Sequence, residues 1–430
     1  MQVFRGTIFH FLSNPALVKR EEDSYQFIND GLLITEQGKV REVRPFQKED
    51  KNKYKVIQDY SGKLLLPGFV DAHLHYPQTE IIASYGEQLL IWLQKYTYPA
   101  ELKFSDRAYA VQAAQFFLGE LLRNGTTCAA VFPTVHKISA EVLFEQALVN
   151  NMSIISGKVL MDRNAPEGLL DSADSGYKDS RELIEKWHHT GRLRYAVTPR
   201  FAPTSSPHQL EMALKLKEEY PDIYIQTHLS ENEAEVEWVR RLFPDHSSYM
   251  GVYHEFGLTG HHSLFAHSIH LNDAEWTIMQ ETNSAAVFCP SANLFLGSGL
   301  FELNKARENG VPVALGSDIG AGTSFSALKN MSDAYKVSRL SGYSFSPLDS
   351  FYMATLGGAS ALDLDSETGN FSAGKYADFV VLDWNASALQ ARRQQPLQTI
   401  KEKLFALMML GDDRNVVATY IAGQKRYSKV

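Results

Sequence analysis

Fourteen histidines are spread along the chain, and the pair with the clearest chemical meaning stands one residue apart. In Leu65-Leu66-Pro67-Gly68-Phe69-Val70-Asp71-Ala72-His73-Leu74-His75 a β-rich run closes on an H-x-H pair. An extended strand sends residues i and i+2 to one face, so His73 and His75 converge on one point, with Asp71 on that face as well. Such a pair is a two-ligand seed for a metal ion. Three further candidates stand where later β-rich runs end: His228 after Ile225-Gln226-Thr227, His267 after Leu264-Phe265-Ala266, and Asp318 after Ala314-Leu315-Gly316-Ser317. His267 and His270 are three apart, so on a continuous strand only one enters a site; His267 is favoured and His270 is read as structural. Two imidazoles from the first run, one from the fifth and a carboxylate from the eighth would hold one borderline divalent ion and leave a position for water. Zinc is the first choice and iron(II) the alternative. His188-His189 and His261-His262 fall near helix ends and turns, where exposed or capping histidines are ordinary.

These positions share a site only if separate elements deliver them to one place. Residues 1–65 alternate short β-like runs with turn signals and read as antiparallel strands. From residue 64 the pattern becomes short β-rich runs, each followed by an amphipathic helical stretch. Eight runs can be counted, at 64–69, 126–132, 153–161, 195–201, 223–229, 263–270, 284–290 and 311–318, with helix candidates at 107–124, 177–189, 207–220 and 233–242. Eight βα units in about 300 residues predict a (β/α)₈ TIM-like barrel, whose active sites gather at the carboxyl ends of the strands. Residues 366–430 return to β character, and 416–427 reads as two short strands around Gly423. The expected fold is therefore α/β: a barrel over 66–365 and a small β-sandwich domain built from both chain ends, 1–65 and 366–430. The charged stretch 47–55 reads as a solvated turn.

Composition limits the function class. Of 430 residues, 44% are hydrophobic and 21% charged, values that support a large core and exclude wholesale disorder. A net charge of −8 argues against nucleic acid or an anionic membrane as the main partner and favours small-molecule chemistry. Two cysteines, Cys128 and Cys289, cannot build a disulfide framework, and no export signal or membrane span is evident. A cytoplasmic protein is expected.

Larger stretches carry a resemblance. Pro67-Gly68-Phe69-Val70-Asp71-Ala72-His73-Leu74-His75 resembles the opening metal motif of the amidohydrolase superfamily. His75-Tyr76-Pro77-Gln78, the stretch Trp92 to Glu101, Thr198-Pro199-Arg200-Phe201-Ala202-Pro203-Thr204, Thr227-His228-Leu229-Ser230-Glu231-Asn232 and Gly316-Ser317-Asp318-Ile319-Gly320-Ala321-Gly322 are similar to its guanine-deaminating branch. The resemblance covers almost the whole chain. It implies hydrolysis of guanine to xanthine and ammonia, with one zinc ion held by His73, His75, His228 and Asp318 and His267 beside the metal's water. Guanine contacts would come from Gln78, Arg200, Phe201 and Glu231, with His75, His228 and Asp318 serving substrate as well as ion. Glu231, Asp318 and His267 are the implied catalytic groups, and a homodimer is what the family suggests. Some relatives bridge two metals with a fourth-strand lysine; here that run reads Tyr195-Ala196-Val197-Thr198-Pro199-Arg200, and Lys158 lies in the third, so one ion is expected.

The residue types fit this chemistry. Glu231 stands three residues beyond His228 and suits protonation of a ring nitrogen or leaving amine, while Asp318 could take or orient the water's proton. An acid opening the following helix is the other reading of Glu231. Arg200 carries only donors and suits a carbonyl such as O6, the Gln78 amide can donate and accept, and Phe201 can pack on a purine face. A surface ion pair is the other reading of Arg200; Trp92 and Tyr96 to Tyr98 either border the pocket or fill the core. The Gly316–Gly322 loop lacks G-K-[S/T] and is no phosphate cradle. The competing enzyme is a mononuclear deaminase or dechlorinase acting on cytosine, an adenosine-like thioether or an s-triazine. The competing non-enzyme is a scaffold of the collapsin response mediator type, whose barrel has lost its ligands.

Overall fold

The computed structural model describes residues 1–429. Strands β1 Gln2–Phe11, β2 Tyr25–Glu36, β3 Lys39–Pro45 and β4 Gln58–Pro67 come first. The barrel strands follow: β5 Phe69–His75, β6 Thr126–Phe132, β7 Ser153–Ser156, β8 Val159–Leu160, β9 Leu193–Pro199, β10 Tyr224–Leu229, β11 Ser263–His267, β12 Ala285–Phe288 and β13 Val313–Leu315. The chain closes with β14 Phe379–Leu382, β15 Val416–Ile421 and β16 Gln424–Ser428.

Eight parallel strands run in the order β13-β12-β11-β10-β9-β7-β6-β5, and β8 is a second short piece paired to β9. His75 N–H donates to Ile319 O at 2.7 Å and Asp318 N–H to His73 O at 2.8 Å, so the chain after β13 meets the end of β5. That closure sets Asp318 beside the H-x-H pair. Helices between strands match the expected amphipathic stretches: Arg107–Arg123, Ala173–Trp187, Pro207–Glu219 and Glu233–Leu242. No helix among the described residues is long and apolar enough to cross a membrane.

The first run needs correction. Residues 64–67 belong to β4, outside the barrel, and the first barrel strand begins at Phe69. One apolar run thus serves two sheets, with Gly68 between them, and no hydrophobic pattern marks the change.

The end strands form one seven-stranded sheet, β16-β15-β14-β4-β1-β2-β3. It is mixed, because β1 and β4 are parallel. Side-chain alternation gives it two buried faces. Leu64, Leu66, Val380 and Leu382 join the barrel's apolar core, while Phe4, Ile8, Leu65, Phe379, Val381 and Tyr420 form a cluster of their own. Asp378, just before β14, pairs with Arg192 at the entry to β9 and accepts Ala422 N–H at 2.9 Å. The stretch 47–55 is more than a solvated turn: Asp50 is buried, receives Gln47 N–H at 2.8 Å and pairs with Arg44. Arg44 draws the Asp50 carboxyl down to about 2.

Candidate active site

Each chemical side chain sits at or just past the carboxyl end of a barrel strand. His73 and His75 end β5, His228 lies in β10, His267 ends β11, and Asp318 follows β13. Past the strands the chain turns sharply: Ser230, His267, Ser268 and Asp318 have φ of 48°, 69°, 49° and 50°. Left-handed backbone at non-glycine residues costs about 1–3 kcal/mol each and persists only where surrounding structure enforces it.

His75 Nε2 lies 3.2 Å from His228 Nε2, and Asp318 Oδ1 lies 3.3 Å from His73 Nε2 and 3.5 Å from His75 Nε2. His73, His228 and His267 form one group of ligand-spaced atoms and His73, His75 and Asp318 another. The rings are held in the tautomer that frees Nε2: His228 Nδ1–H donates to Arg200 O at 2.7 Å, and His267 Nδ1–H to Asn293 Oδ1 at 2.9 Å. His73 Nε2 and His267 Nε2 are buried without a hydrogen-bond partner. Burial above all, then neighbouring imidazoles and the Arg200 guanidinium, hold His73, His75 and His228 neutral, far below the usual histidine range. Neutral imidazoles, free lone pairs and a carboxylate at this spacing fit a single divalent cation.

The β5–β6 register slips between Asp71 and Leu74. Asp71 accepts Ser317 N–H at 2.9 Å and braces the turn that carries Asp318.

A cavity opens over this centre, lined by His75, Gln78, Arg200, Phe201, His228, Glu231 and Asp318 together with Trp92, Leu93 and Glu235. Phe201 is buried and meets the Trp238 ring edge-on at 6.1 Å. Trp92 fulfils both of its readings, being buried and at the cavity wall. Glu231 Oε2 lies 3.4 Å from His267 Nε2, and Ser298 Oγ donates to Oε1 at 3.3 Å. Burial and the nearby Asp318 charge raise the Glu231 carboxyl well above its usual range. The helix-cap role falls instead to Glu235: its Oε2 accepts the N–H groups of Glu231 at 2.9 Å and Asn232 at 3.1 Å, and Tyr249 OH donates to Oε1 at 2.6 Å.

Arg200 is buried rather than part of a surface pair. Its Nη1 donates to Glu101 Oε1 at 2.8 Å and Oε2 at 3.0 Å, and Gln78 Nε2 donates to Oε1 at 3.4 Å. The glycine-rich loop has a packing task. A Cβ on Gly320 would stand 2.4 Å from Gln78 O, and one on Gly316 would stand 2.9 Å from His73 Cβ.

The other candidates lie elsewhere. His270 Nε2–H donates to Ser298 O at 2.8 Å, the tandem pairs face Asp222 and Asp363, and Lys158 pairs with Asp171. Glu101, Glu235 and Asn293 carry parts of the site that the sequence reading gave no role. For Glu235 a signal existed: Asn232-Glu233-Ala234-Glu235 has the spacing of a capping box. Nothing local marks Asn293, and Glu101 is signalled only as the end of the family-like stretch Trp92 to Glu101.

The model of the amidohydrolase family matches residues 64–426. Guanine deaminase of Escherichia coli is 52% identical over 409 residues, covering 94% of this chain and 92% of that protein. The solved structure of E. coli guanine deaminase superposes with a TM-score of 0.98 at 50% identity, covering 100% of both chains. Guanine deaminase from C. acetobutylicum, solved with guanine bound in its active site, gives 0.89 at 31% identity over 99% of this chain and 100% of that one. Barrel, ligand-spaced histidines and these matches agree, and the chain belongs to the amidohydrolase family.

Proposed function

We propose that this protein hydrolyses guanine to xanthine and ammonia, using one divalent ion, zinc first and iron(II) as the alternative, held by His73, His75, His228 and Asp318. The observation that carries the reading is the shared cavity: Gln78, Arg200, Phe201 and Glu231 face the same space as the metal-ligand group. Similarity to guanine deaminases over nearly the full chain supports it.

An ion held by these residues would lower the pKa of its water to about 7. Arg200 donates to the O6 carbonyl and Phe201 packs on the ring, which orients the amino-bearing carbon. Glu231 is placed to give its proton to a ring nitrogen, and burial with the nearby Asp318 charge favours its protonated form; the proton that the attacking water gives up goes to the departing amine. Asp318 and His267 stand beside Glu231, His267 Nε2 3.8 Å from Asp318 Oδ2 and 3.4 Å from Glu231 Oε2, placed to orient and pass a proton.

Adenine offers an amino group where guanine has O6 and would leave Arg200 facing another donor. An unpaired buried donor disfavours such a ligand by about 10⁴ or more. Incubation with guanine, assaying xanthine and ammonia beside adenine and cytosine controls, tests the reading. No release from guanine by metal-replete protein overturns it. Purine catabolism in a reducing cytoplasm and a homodimer belong to the same proposal; Cys128 and Cys289, both free and buried, are consistent with that compartment.

A further inference from the structure

Glu101 does not line the cavity, yet it touches both polar groups that face it from this side. It is wholly buried, with Arg200 Nη1 on both its oxygens and Gln78 Nε2 on one. A carboxylate has only acceptors. Turning the Gln78 amide over would set its carbonyl oxygen against Glu101 Oε1, a contact between two acceptors inside the protein. Gln78 Nε2 is therefore committed to Glu101, and Oε1, which has no hydrogen-bond partner among the described residues, is left for the cavity that Gln78 lines. The Gly320 loop packs against the Gln78 backbone and limits its retreat.

We propose that Glu101 is a specificity-determining positioning residue: by claiming the amide N–H of Gln78 it makes Gln78 an acceptor toward substrate, while its pairing with Arg200 holds that guanidinium, a donor in any state, in place. The inference rests on the guanine reading above. A donor beside an acceptor matches one edge, the lactam unit O=C–N–H, which guanine presents as O6 and N1–H. A purine with the same 2-amino leaving group but an unprotonated N1 meets the Gln78 oxygen acceptor to acceptor.

2-Aminopurine is that probe, and the readout is the ratio of kcat/KM for guanine to that for 2-aminopurine in the metal-replete enzyme. Glu101→Gln lets the residue-101 side chain donate or accept, so the Gln78 amide can invert. The ratio is expected to fall at least about tenfold, a modest share of what a misdirected buried polar group can supply. In a Gln78→Leu background the same Glu101→Gln change is expected to move the ratio by less than about threefold, because the residue through which Glu101 acts is gone. A ratio unchanged by Glu101→Gln, or one shifted equally in both backgrounds, overturns the proposal; the latter would place the effect in Arg200 alone. Should Glu101→Gln not fold, Glu101→Asp keeps the charge beside Arg200 but withdraws from Gln78, and an unaltered ratio there overturns the proposal equally. Failure of the unsubstituted enzyme to act on guanine would instead strike the functional reading.

Discussion

His228 and Arg200 are tied through one peptide carbonyl: Arg200 O accepts the His228 Nδ1–H at 2.7 Å and the His228 backbone N–H at 3.2 Å. A ring at the metal centre and the guanidinium at the cavity wall are thus fixed to the same backbone joint between β9 and β10. The tautomer that frees His228 Nε2 depends on the strand that carries Arg200.

One equivalent of divalent metal per chain is expected by elemental analysis. His228→Ala should lose it while keeping native circular dichroism. Asn293→Ala, which removes the partner of His267 Nδ1, should keep the metal and lower activity by letting the His267 ring turn away from the site. Full metal content in His228→Ala, or two equivalents in the unsubstituted protein, would refute the single-ion site.

Glu231→Gln should retain metal and fold and lose at least about a hundredfold in kcat, the lower end expected for removing a general acid–base. Steady-state kinetics at saturating guanine decide this. Near-normal turnover would leave Glu231 without a chemical role.

Arg200→Met should abolish most guanine turnover and also destabilise the chain, because Glu101 is left charged and buried. Removing one partner of such a pair costs about 3–5 kcal/mol. Adding Glu101→Gln should restore part of that stability without restoring activity. Denaturant unfolding of the two variants checks the coupling, and equal stability of both would show that the pair is not an energetic unit.

Glu235 should give a pH-dependent stability difference. Burial, reinforced by Glu231, raises its carboxyl to about 7 from an ordinary value of 4.5. Between these values the folded chain holds a proton that the unfolded chain has released, so stability falls as pH rises from about 4.5 to about 7. Glu235→Gln keeps an acceptor for the two N–H groups and removes the titration. The metal-replete variant should therefore gain on the order of 1–3 kcal/mol relative to the unsubstituted protein between pH 5 and 8. A constant difference across that range would rule out this linkage.

The amino-acid sequence by itself determined the alternation of strands and helices, and with it the barrel, because β-rich runs and amphipathic helices carry their own periods. It also placed His73, His75, His228, His267 and Asp318 at strand ends, and the barrel rule supplies a common face for such ends. What it did not contain was any relation created by closure. Residues 64–67 left the barrel because a buried apolar run carries no sign of which sheet it joins. Asp71 accepts the Ser317 N–H, a partner 246 positions away that only closure of the barrel brings to it. Glu101 and Arg200 are ninety-nine positions apart, and nothing local to either names the other as its partner. Only the packed tertiary structure makes them a buried pair, since the contact that neutralises them does not exist until the strands have closed.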